Sequence, residues 1–398
     1  MRLARPSRTA TPRPTAQPLT RRALLGRMGA VAGAGLLGPT LLAACGGDDG
    51  GTSSGTTGGG GGGSKALWFE NWPAYIDEET VDLFTTASGL DFKYTEGFND
   101  NASWFAKNQA LLAGKKSIGA DIVAPTYWLA ARLIGLDWVQ PLPLDKIPNA
   151  KNLVPALQKP GWDPTGEFSL PWQSGMTGIA YNISVTGREL TSFDEIFNPE
   201  FKGKIGMLTE WRDTVGLTML LLGADPATAT IDTAGPALDK IEAAAKGGQV
   251  RQFTGNDYMD DLASGNFAAC VGWSGDISQL AISNPDVRFV IPEEGGMQWS
   301  DTMVLPAGCE HVDNAAVWMD YVYDPENAAR ITEYVGYNSP VDGVQDILAA
   351  GNDDQKALSE SPLLFPDDAT LARLHVFASL DEDAEAAFEE RFATIIGA

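Results

Sequence analysis

The chain has 398 residues, 44% of them hydrophobic, which is enough for about two or three domains of ordinary size and a sizeable core. Its 52 acidic residues outnumber 28 basic ones and give a net charge of −24, which argues against a nucleic-acid binder, because such proteins concentrate Lys and Arg. Two histidines and three cysteines without metal-ligand spacing exclude a zinc cluster, so no metal or cofactor is predicted, and the acidic charge favours a cationic or neutral partner.

The first 44 residues form a basic leader. They hold seven arginines and no acidic residue, so removing them takes the net charge from −24 to −31 on the remaining 354 residues. Arg21 and Arg22 precede an apolar, small-residue stretch at 28–44 that runs into Cys45, a pattern typical of a twin-arginine export signal with a bacterial lipoprotein cleavage site. A transmembrane anchor is the alternative, but the apolar run of about 17 residues is Gly-rich and at the short limit for spanning a bilayer. We therefore predict a signal peptide over residues 1–44.

Residues 45–64 are predicted to be a lipidated cysteine and a flexible tether. Beyond Cys45 the segment is almost wholly Gly, Ser, Thr and Asp, including six consecutive glycines at 58–63, and cannot bury apolar surface. A coil of this length spans roughly 25 Å root-mean-square and would hold the rest of the chain near the outer face of the cell membrane or in the periplasm. Cys270 and Cys309 would then share an oxidising compartment, and the sequence leaves open whether they form a disulfide.

From residue 65 onward, short apolar runs alternate with amphipathic segments of about ten residues, and the two patterns predict strands and helices respectively. The predicted strands are 66–69, 121–124, 178–181, 205–208, 268–273, 287–291 and 303–305, and the predicted helices are 78–87, 104–112, 128–134, 215–222, 237–245, 257–264, 313–323 and 326–335. This alternation indicates an α/β protein with largely parallel sheets. The 334 residues after position 64 exceed one usual core, which predicts two lobes with a ligand cleft between them.

Aromatic and acidic residues cluster directly after the predicted strands. In α/β sheets ligands bind beyond the carboxyl ends of the strands, so these positions are candidates for one shared site. Aromatic faces attract ammonium groups and carboxylates accept their N–H donors, so the set suits an organic cation, although a sugar site would use the same residue types. The residues concerned are Glu70, Asn71, Trp72, Tyr75, Thr126, Tyr127, Trp128, Glu210, Trp211, Arg212, Asp213, Trp273, Asp276, Trp299, Ser300, Asp301 and Tyr337.

Each of these residues also has a purely structural interpretation. A single Trp at a strand end, such as Trp72, Trp128 or Trp273, is commonly a partly buried packing residue. Glu210 and Asp213 together are favoured at the N-terminus of a helix by its dipole. Asp301 could cap a helix or be solvated. The joint placement after several strands favours a binding site over these separate explanations.

Six segments resemble the substrate-binding proteins of spermidine/putrescine ABC transporters, over about residues 65–348. The segments are 71–75, 121–128, 171–182, 208–213, 295–301 and 336–340. The resemblance implies an α/β, two-lobed periplasmic-binding-protein fold with discontinuous lobes and a central ligand cleft. Lobe 1 would comprise 65–177 and 303–345, and lobe 2 would comprise 178–302 and 346–398. Thr177 and Gly178 match the first crossing between the lobes, and the region around Met303 matches the second.

The resemblance also implies a set of ten ligand-binding residues. They are Trp72, Tyr75, Thr126, Trp128, Glu210, Asp213, Trp273, Trp299, Asp301 and Tyr337. Rings would line the pocket and carboxylates would bind amino groups, although the pair Glu210 and Asp213 aligns only with a one-residue gap. Residues 360–398 match too weakly to assign the polar residue that the family uses there.

The function implied is capture of a polyamine, putrescine or spermidine, followed by hinge closing and delivery to a membrane permease that a separate ATPase drives. The protein would be a lipid-anchored monomer, neither an enzyme nor a nucleic-acid binder, and the chain has no phosphate-binding loop of the GxxxxGK[ST] type. One alternative is a secreted glycoside hydrolase with Glu210 and either Asp213 or Asp301 as its carboxylate pair. Another is a related binding protein retuned to a different cationic or zwitterionic molecule, because Trp211 inside the acidic motif departs from the family pattern.

Overall fold

The structure is a computed structural model that describes residues 64–397. The predicted signal peptide at 1–44, Cys45 and the tether up to residue 63 lie outside the described residues. Within the described range, no helix has both the length and the apolar character needed to cross a membrane.

Eleven strands of the described residues join in one sheet, with the main order β2-β1-β3-β10-β5-β8-β6-β7 and three short strands at its margins. The strands are β1 (Ala66–Asn71), β2 (Asp91–Glu96), β3 (Ile122–Val123), β4 (Val139–Gln140), β5 (Ser169–Asn182), β6 (Ile205–Leu208), β7 (Val250–Thr254), β8 (Ala269–Trp273), β9 (Val287–Val290), β10 (Gly296–Pro306) and β11 (Leu374–His375). β1 pairs in parallel with β2 and β3, and β6 pairs in parallel with β7 and β8. The predicted parallel pairing is therefore present in two separate groups of strands within this one sheet.

Two long antiparallel strands, β5 and β10, connect these groups. Their register runs from Thr177 opposite Met297 to Ser169 opposite Val304, and β5 continues onward to pair with β8. The sequence predicted only 178–181 and 303–305 in these places, so both strands are much longer than expected. Their middle parts carry polar and small residues such as Gln173, Ser174 and Gln298, which interrupt the apolar runs that identified the other strands.

Fourteen α-helices are present among the described residues and pack on the sheet. They are α1 (Glu78–Ser88), α2 (Asn101–Ala113), α3 (Tyr127–Gly135), α4 (Ile183–Thr186), α5 (Trp211–Leu221), α6 (Ile231–Lys246), α7 (Tyr258–Ala263), α8 (Ser274–Ser283), α9 (Val312–Val322), α10 (Pro325–Val335), α11 (Val344–Ala349), α12 (Asp353–Ser359), α13 (Asp368–Leu371) and α14 (Glu382–Ile396). Local chemistry fixes many ends. At α1, for example, the Asp77 side chain accepts from the Thr80 amide, and Gly89 ends the helix with φ +65°.

The core continues under both groups of strands. Beneath β1 it is aromatic, with Trp318 meeting Phe84 at 4.8 Å and Phe92 at 4.5 Å between ring centroids. Beside β6 it includes Met207, Val215 and Phe267. Cys270 and Cys309 are both buried and free, so the structure contains no disulfide between them.

The C-terminal region divides between two neighbourhoods. α11 and α12 pack successively beyond α10, whereas β11 pairs with β10 and α14 packs along α6. Residues 344–359 thus lie next to α10.

Candidate functional site

One cavity collects all ten residues predicted to bind ligand. Its empty space is about 610 Å³, a figure that includes open solvent at its mouth. It is lined by Trp72, Tyr75, Thr126, Trp128, Glu210, Asp213, Trp273, Trp299, Asp301 and Tyr337, and in addition by Pro73, Tyr127, Arg212, Asn256, Asp276, Met297, Gln298 and Phe377. Most of these residues follow the carboxyl ends of β1, β3, β6, β7 and β8, where a shared site was expected.

Asp301, on β10, is buried and its carboxylate is held by two hydroxyl groups. Tyr75 Oη donates to one carboxylate oxygen at 2.9 Å, and Thr126 Oγ1 donates to the other at 2.7 Å. Asp301 is only 4% exposed, so it is neither a solvated residue nor a helix cap. An ionised carboxylate can accept about four hydrogen bonds, which leaves Asp301 able to accept about two more.

Asp213 and Asp276 are held in the same manner on the other side of the cavity. The Asp213 carboxylate accepts from Thr177 Oγ1 at 2.8 Å and from Trp273 Nε1 at 2.9 Å. The Asp276 carboxylate accepts from Tyr337 Oη at 2.7 Å and from Tyr258 Oη at 2.9 Å. These donors fix the direction of each carboxylate, and neither group has an ionic partner among the described residues.

Glu210 lies immediately before α5, and its carboxylate does not cap that helix. One of its oxygens accepts from the backbone amide and the side-chain amide of Asn101, at 3.1 and 3.2 Å. Asp213, in the first turn of α5, likewise directs its carboxylate to the donors named above. The helix-dipole interpretation of this pair therefore does not account for where the two side chains point.

Burial raises the pKa of all four carboxyl groups. The pKa rises to about 7 for Glu210 and Asp301 and to about 6 for Asp213 and Asp276, and loss of hydration is the main cause in each case. The nearby Asp213 carboxylate adds to the rise at Glu210 and Asp301, while hydrogen-bond donors oppose it at Asp301. A bound cation would stabilise the ionised form of these carboxyl groups in place of the hydration that burial removes.

Four aromatic rings form a continuous wall between the carboxylates. Tyr75 meets Tyr337 at 5.2 Å, Tyr337 meets Trp299 at 5.3 Å, and Trp299 meets Trp273 at 6.5 Å between centroids, with steep interplanar angles in every pair. Three of the four rings use a hydroxyl or indole N–H to hold a carboxylate. The wall therefore combines aromatic surface with donors that orient the acids.

The segment after β1 supplies another indole of the cavity lining, that of Trp72. Trp72 Nε1 donates to the Ala124 carbonyl at 2.8 Å, and the Trp72 ring stacks on Phe98 at 5.0 Å. Ala74 adopts φ +53°, an uncommon conformation for a residue with a Cβ. The reversal at Ala74 brings both Trp72 and Tyr75 to the cavity from positions three residues apart.

Two glycines allow the rings to approach the backbone closely. A Cβ on Gly175 would lie 2.4 Å from an atom of the Trp299 ring, and a Cβ on Gly275 would lie 2.4 Å from atoms of the Tyr337 ring. If either glycine were replaced by alanine, the facing ring would have to move, because non-bonded carbon atoms do not approach each other so closely.

Trp128 lines the cavity, but a cation of the protein itself lies against its ring. The guanidinium carbon of Arg212 is 3.8 Å from the Trp128 ring centroid and 4.2 Å from that of Trp211. Arg212 also forms a buried ion pair with Glu385 of α14. Trp211, the residue that departs from the family pattern, does not line the cavity and instead stacks on Phe388 at 4.7 Å.

The predicted site left out six polar or aromatic residues that line the cavity: Tyr127, Arg212, Asn256, Asp276, Gln298 and Phe377. Asp276 stood among the residues after the strands but was not included in the predicted site. Asn256 follows β7, a strand that was not predicted because Arg251 and Gln252 interrupt it. Phe377 comes from the C-terminal region and had no sequence signal.

Comparisons with known proteins find relatives both by sequence and by structure. A sequence profile of the bacterial extracellular solute-binding protein family matches residues 79–364. The putrescine-binding periplasmic protein PotF of Escherichia coli is 30% identical over 330 residues, which cover 78% of this chain and 85% of PotF. A putative spermidine/putrescine ABC transporter from Listeria monocytogenes has a similar structure, with a TM-score of 0.74 and 26% identity over 83% of this chain and 99% of that one. The spermidine/putrescine substrate-binding protein PotD of Streptococcus pneumoniae gives a TM-score of 0.68 and 25% identity over 83% of this chain and 98% of that one.

The fold and the cavity define a periplasmic-type solute-binding protein. The chain belongs to the bacterial extracellular solute-binding protein family. The predicted α/β, two-lobed fold is confirmed by its structural neighbours, and the predicted extracellular or periplasmic class is confirmed by the family. Proteins of this kind are substrate-binding components of ABC transporters and not enzymes, which confirms the prediction of a non-catalytic protein and excludes the glycoside hydrolase alternative.

Proposed function

We propose that the cavity captures a polyamine, putrescine or spermidine, and that the protein delivers it to an ABC importer. The observation that carries this proposal is the joining of three buried carboxyl groups, the half-buried Glu210 and a wall of aromatic rings in one cavity. A polyamine carries N–H donors on its ammonium groups and polarised methylenes between them. Carboxylates bind the former through charge-assisted hydrogen bonds, and aromatic faces attract both.

Asp301 and Asp276 are the proposed anchors for two ammonium groups. Each is held by a tyrosine hydroxyl and keeps unused acceptor capacity. Asn256 adds a buried side-chain oxygen that has no hydrogen-bond partner among the described residues. The aromatic wall would then follow the methylene chain between the two ends, and Glu210 and Asp213 would add negative charge.

The relatives support this choice of ligand. The names of PotF and of the two structural neighbours refer to putrescine or to spermidine and putrescine. These names do not favour the alternative of a different cationic or zwitterionic ligand.

Closure of the cavity is proposed to occur by bending of β5 and β10. Residues 65–177 with 303–345 would form lobe 1, and 178–302 with 346–398 would form lobe 2, except that 344–359 would move with α10. β5 pairs with β10 in its first part and with β8 in its last part, so it runs from one group of strands to the other. A bend near Thr177 and Gly178, matched by one near Met303, would separate the two walls of the cavity.

Membrane attachment and handover complete the proposal. A lipid on Cys45 would hold the exported protein, as a monomer, at the outer face of the membrane, and the loaded form would pass its ligand to a permease driven by a separate ATPase.

The test is isothermal titration calorimetry on residues 62–398, which span the compact unit that contains the described fold. The ligand panel is putrescine, cadaverine, spermidine, spermine, amino acids and sugars. Binding of at least one polyamine at micromolar concentration, with no heat from sugars or neutral amino acids, is expected. Absence of heat with every polyamine would overturn the proposal.

A further inference from the structure

Arg212 places a fixed positive charge in the wall of a cavity that is otherwise acidic. Its side chain is 6% exposed, and its guanidinium lies over the Trp128 ring. Trp128 lies in the first turn of α3, whereas Arg212 lies in the first turn of α5. The aromatic surface that Trp128 would offer to a ligand ammonium is therefore already in contact with a cation.

The C-terminal segment holds Arg212 in this position. Glu385 of α14, 5% exposed, forms an ion pair with the guanidinium. Phe377 lines the cavity next to this pair and receives a contact from Tyr127, whose hydroxyl donates to the Phe377 carbonyl at 3.4 Å. Phe377 and Phe388 also pack against Trp211, the neighbour of Arg212. The C-terminal segment is thus packed against both Arg212 and its neighbour Trp211.

We propose that Arg212 makes the site selective for diamines by occupying the place beside Trp128 where the third ammonium of a longer polyamine would bind. This inference rests on the proposed function. Two ammonium groups can use Asp301 and Asp276, whose carboxylates are held by the contacting tyrosines Tyr75 and Tyr337. A ligand that extended beyond them to Trp128 would bring an ammonium group against the guanidinium. Like charges repel strongly where water is excluded, and Glu385 is already paired with Arg212.

The experiment compares putrescine with spermidine in the double variant Arg212→Met/Glu385→Gln. Removing both charges together leaves no unpaired buried carboxylate, and Met keeps an apolar side chain beside the two indoles. We expect the original protein to bind putrescine at least about tenfold more tightly than spermidine. The double variant should reduce this ratio by about tenfold, because it removes the repulsion between the guanidinium and the third ammonium group of spermidine and frees the Trp128 ring for that group.

The matched control is Arg188→Met/Glu195→Gln. Arg188 also pairs with a glutamate, Glu195, at 2.7 Å, and its guanidinium also lies near a ring, 5.4 Å from the centroid of Phe201. Neither Arg188 nor Glu195 lines the cavity. This control double variant should leave the ratio of the putrescine and spermidine affinities unchanged within about twofold. A further variant, Arg212→Lys, keeps the charge and should keep the selectivity, which provides a readout if the double variant does not fold.

The outcomes separate the two proposals. If neither polyamine binds the original protein, the proposed function fails. If spermidine binds as tightly as putrescine, if the double variant keeps the ratio of the original, or if the Lys variant loses that ratio, polyamine binding stands and the role of Arg212 is overturned.

Discussion

Tyr75 and Tyr337 meet edge to face with ring centroids 5.2 Å apart, and each donates its hydroxyl to a different carboxylate, Asp301 for Tyr75 and Asp276 for Tyr337. Tyr75 follows β1 and Tyr337 follows α10, so this contact joins two distant segments of the chain. The pair fixes two buried acids on either side of an aromatic surface. The first three predictions follow from this arrangement.

Replacing either anchoring carboxylate should weaken polyamine binding without unfolding the protein. Asp301→Asn and Asp276→Asn each remove one charged hydrogen-bond acceptor, a loss of about 1.5–3 kcal/mol, or roughly 10- to 150-fold in affinity. Calorimetry with putrescine measures the change. Asp82→Asn, on the exposed face of α1, is the control and should leave affinity unaltered. A loss below about twofold in Asp301→Asn or Asp276→Asn would show that the residue concerned is not an anchor.

The two close glycines should matter for the positions of the rings. Gly175→Ala would push against Trp299 and Gly275→Ala against Tyr337, because each new Cβ would lie 2.4 Å from ring atoms. We expect the putrescine affinity to fall by about tenfold or more in each variant, as a misplaced aromatic contact implies. Gly135→Ala is the matched control, since its Cβ would meet no atom within 4 Å. Unchanged affinity in both test variants would contradict the role of these rings.

Ligand binding should strengthen as pH rises from 5 to 8. The pKa values of Glu210, Asp213, Asp276 and Asp301 are raised to between about 6 and 7, so at pH 5 these groups carry protons that an ammonium ligand must displace. Each carboxyl that must be ionised reduces affinity by roughly tenfold per pH unit below its pKa. Titration of putrescine at several pH values checks this expectation, and a flat profile would contradict it.

The ligand-free protein should show the opposite trend in stability. These carboxyls bind protons more tightly in the folded chain than in the unfolded chain. Their stabilising contribution to the free energy of unfolding is fully present below about pH 4. It is lost as pH rises through about 6 to 7, because the folded state then gives up protons that it bound more tightly than the unfolded chain does. The Tm measured without ligand should therefore fall across this range, and putrescine should raise it more at pH 8 than at pH 5. In Asp301→Asn the fall should be smaller.

Cys45→Ser should release the protein from membranes. Cys45 lies outside the described residues, and the prediction comes from the small residues that precede it. Fractionation of cells that produce the full chain should find the variant in the soluble fraction, whereas Ser54→Ala, within the tether, should stay attached. Continued attachment of the Cys45→Ser protein would favour a transmembrane anchor over a lipid.

Local sequence patterns were sufficient for most of the helices and for the inner strands. β6 and β8 carry unbroken apolar runs because the sheet buries both of their faces, and α10 shows a regular amphipathic repeat. β2 and β7 were not predicted, since they lie at the two ends of the sheet order and expose polar residues such as Lys93 and Gln252. Edge strands give a weak apolar signal for that reason.

By itself the sequence determined the α/β class and the residues that follow each strand, because both depend on short-range patterns and on the rule that strand ends share one edge of a sheet. The resemblance of six segments to polyamine-binding proteins then implied ten of these residues as ligand contacts, and all ten line one cavity. Only the tertiary structure decided how these residues pair. Tyr75 reaches Asp301 across 226 positions, and Arg212 reaches Glu385 across 173. Contacts between such distant positions leave no periodicity in a single sequence, and so the cation beside Trp128 became visible only when the chain was folded.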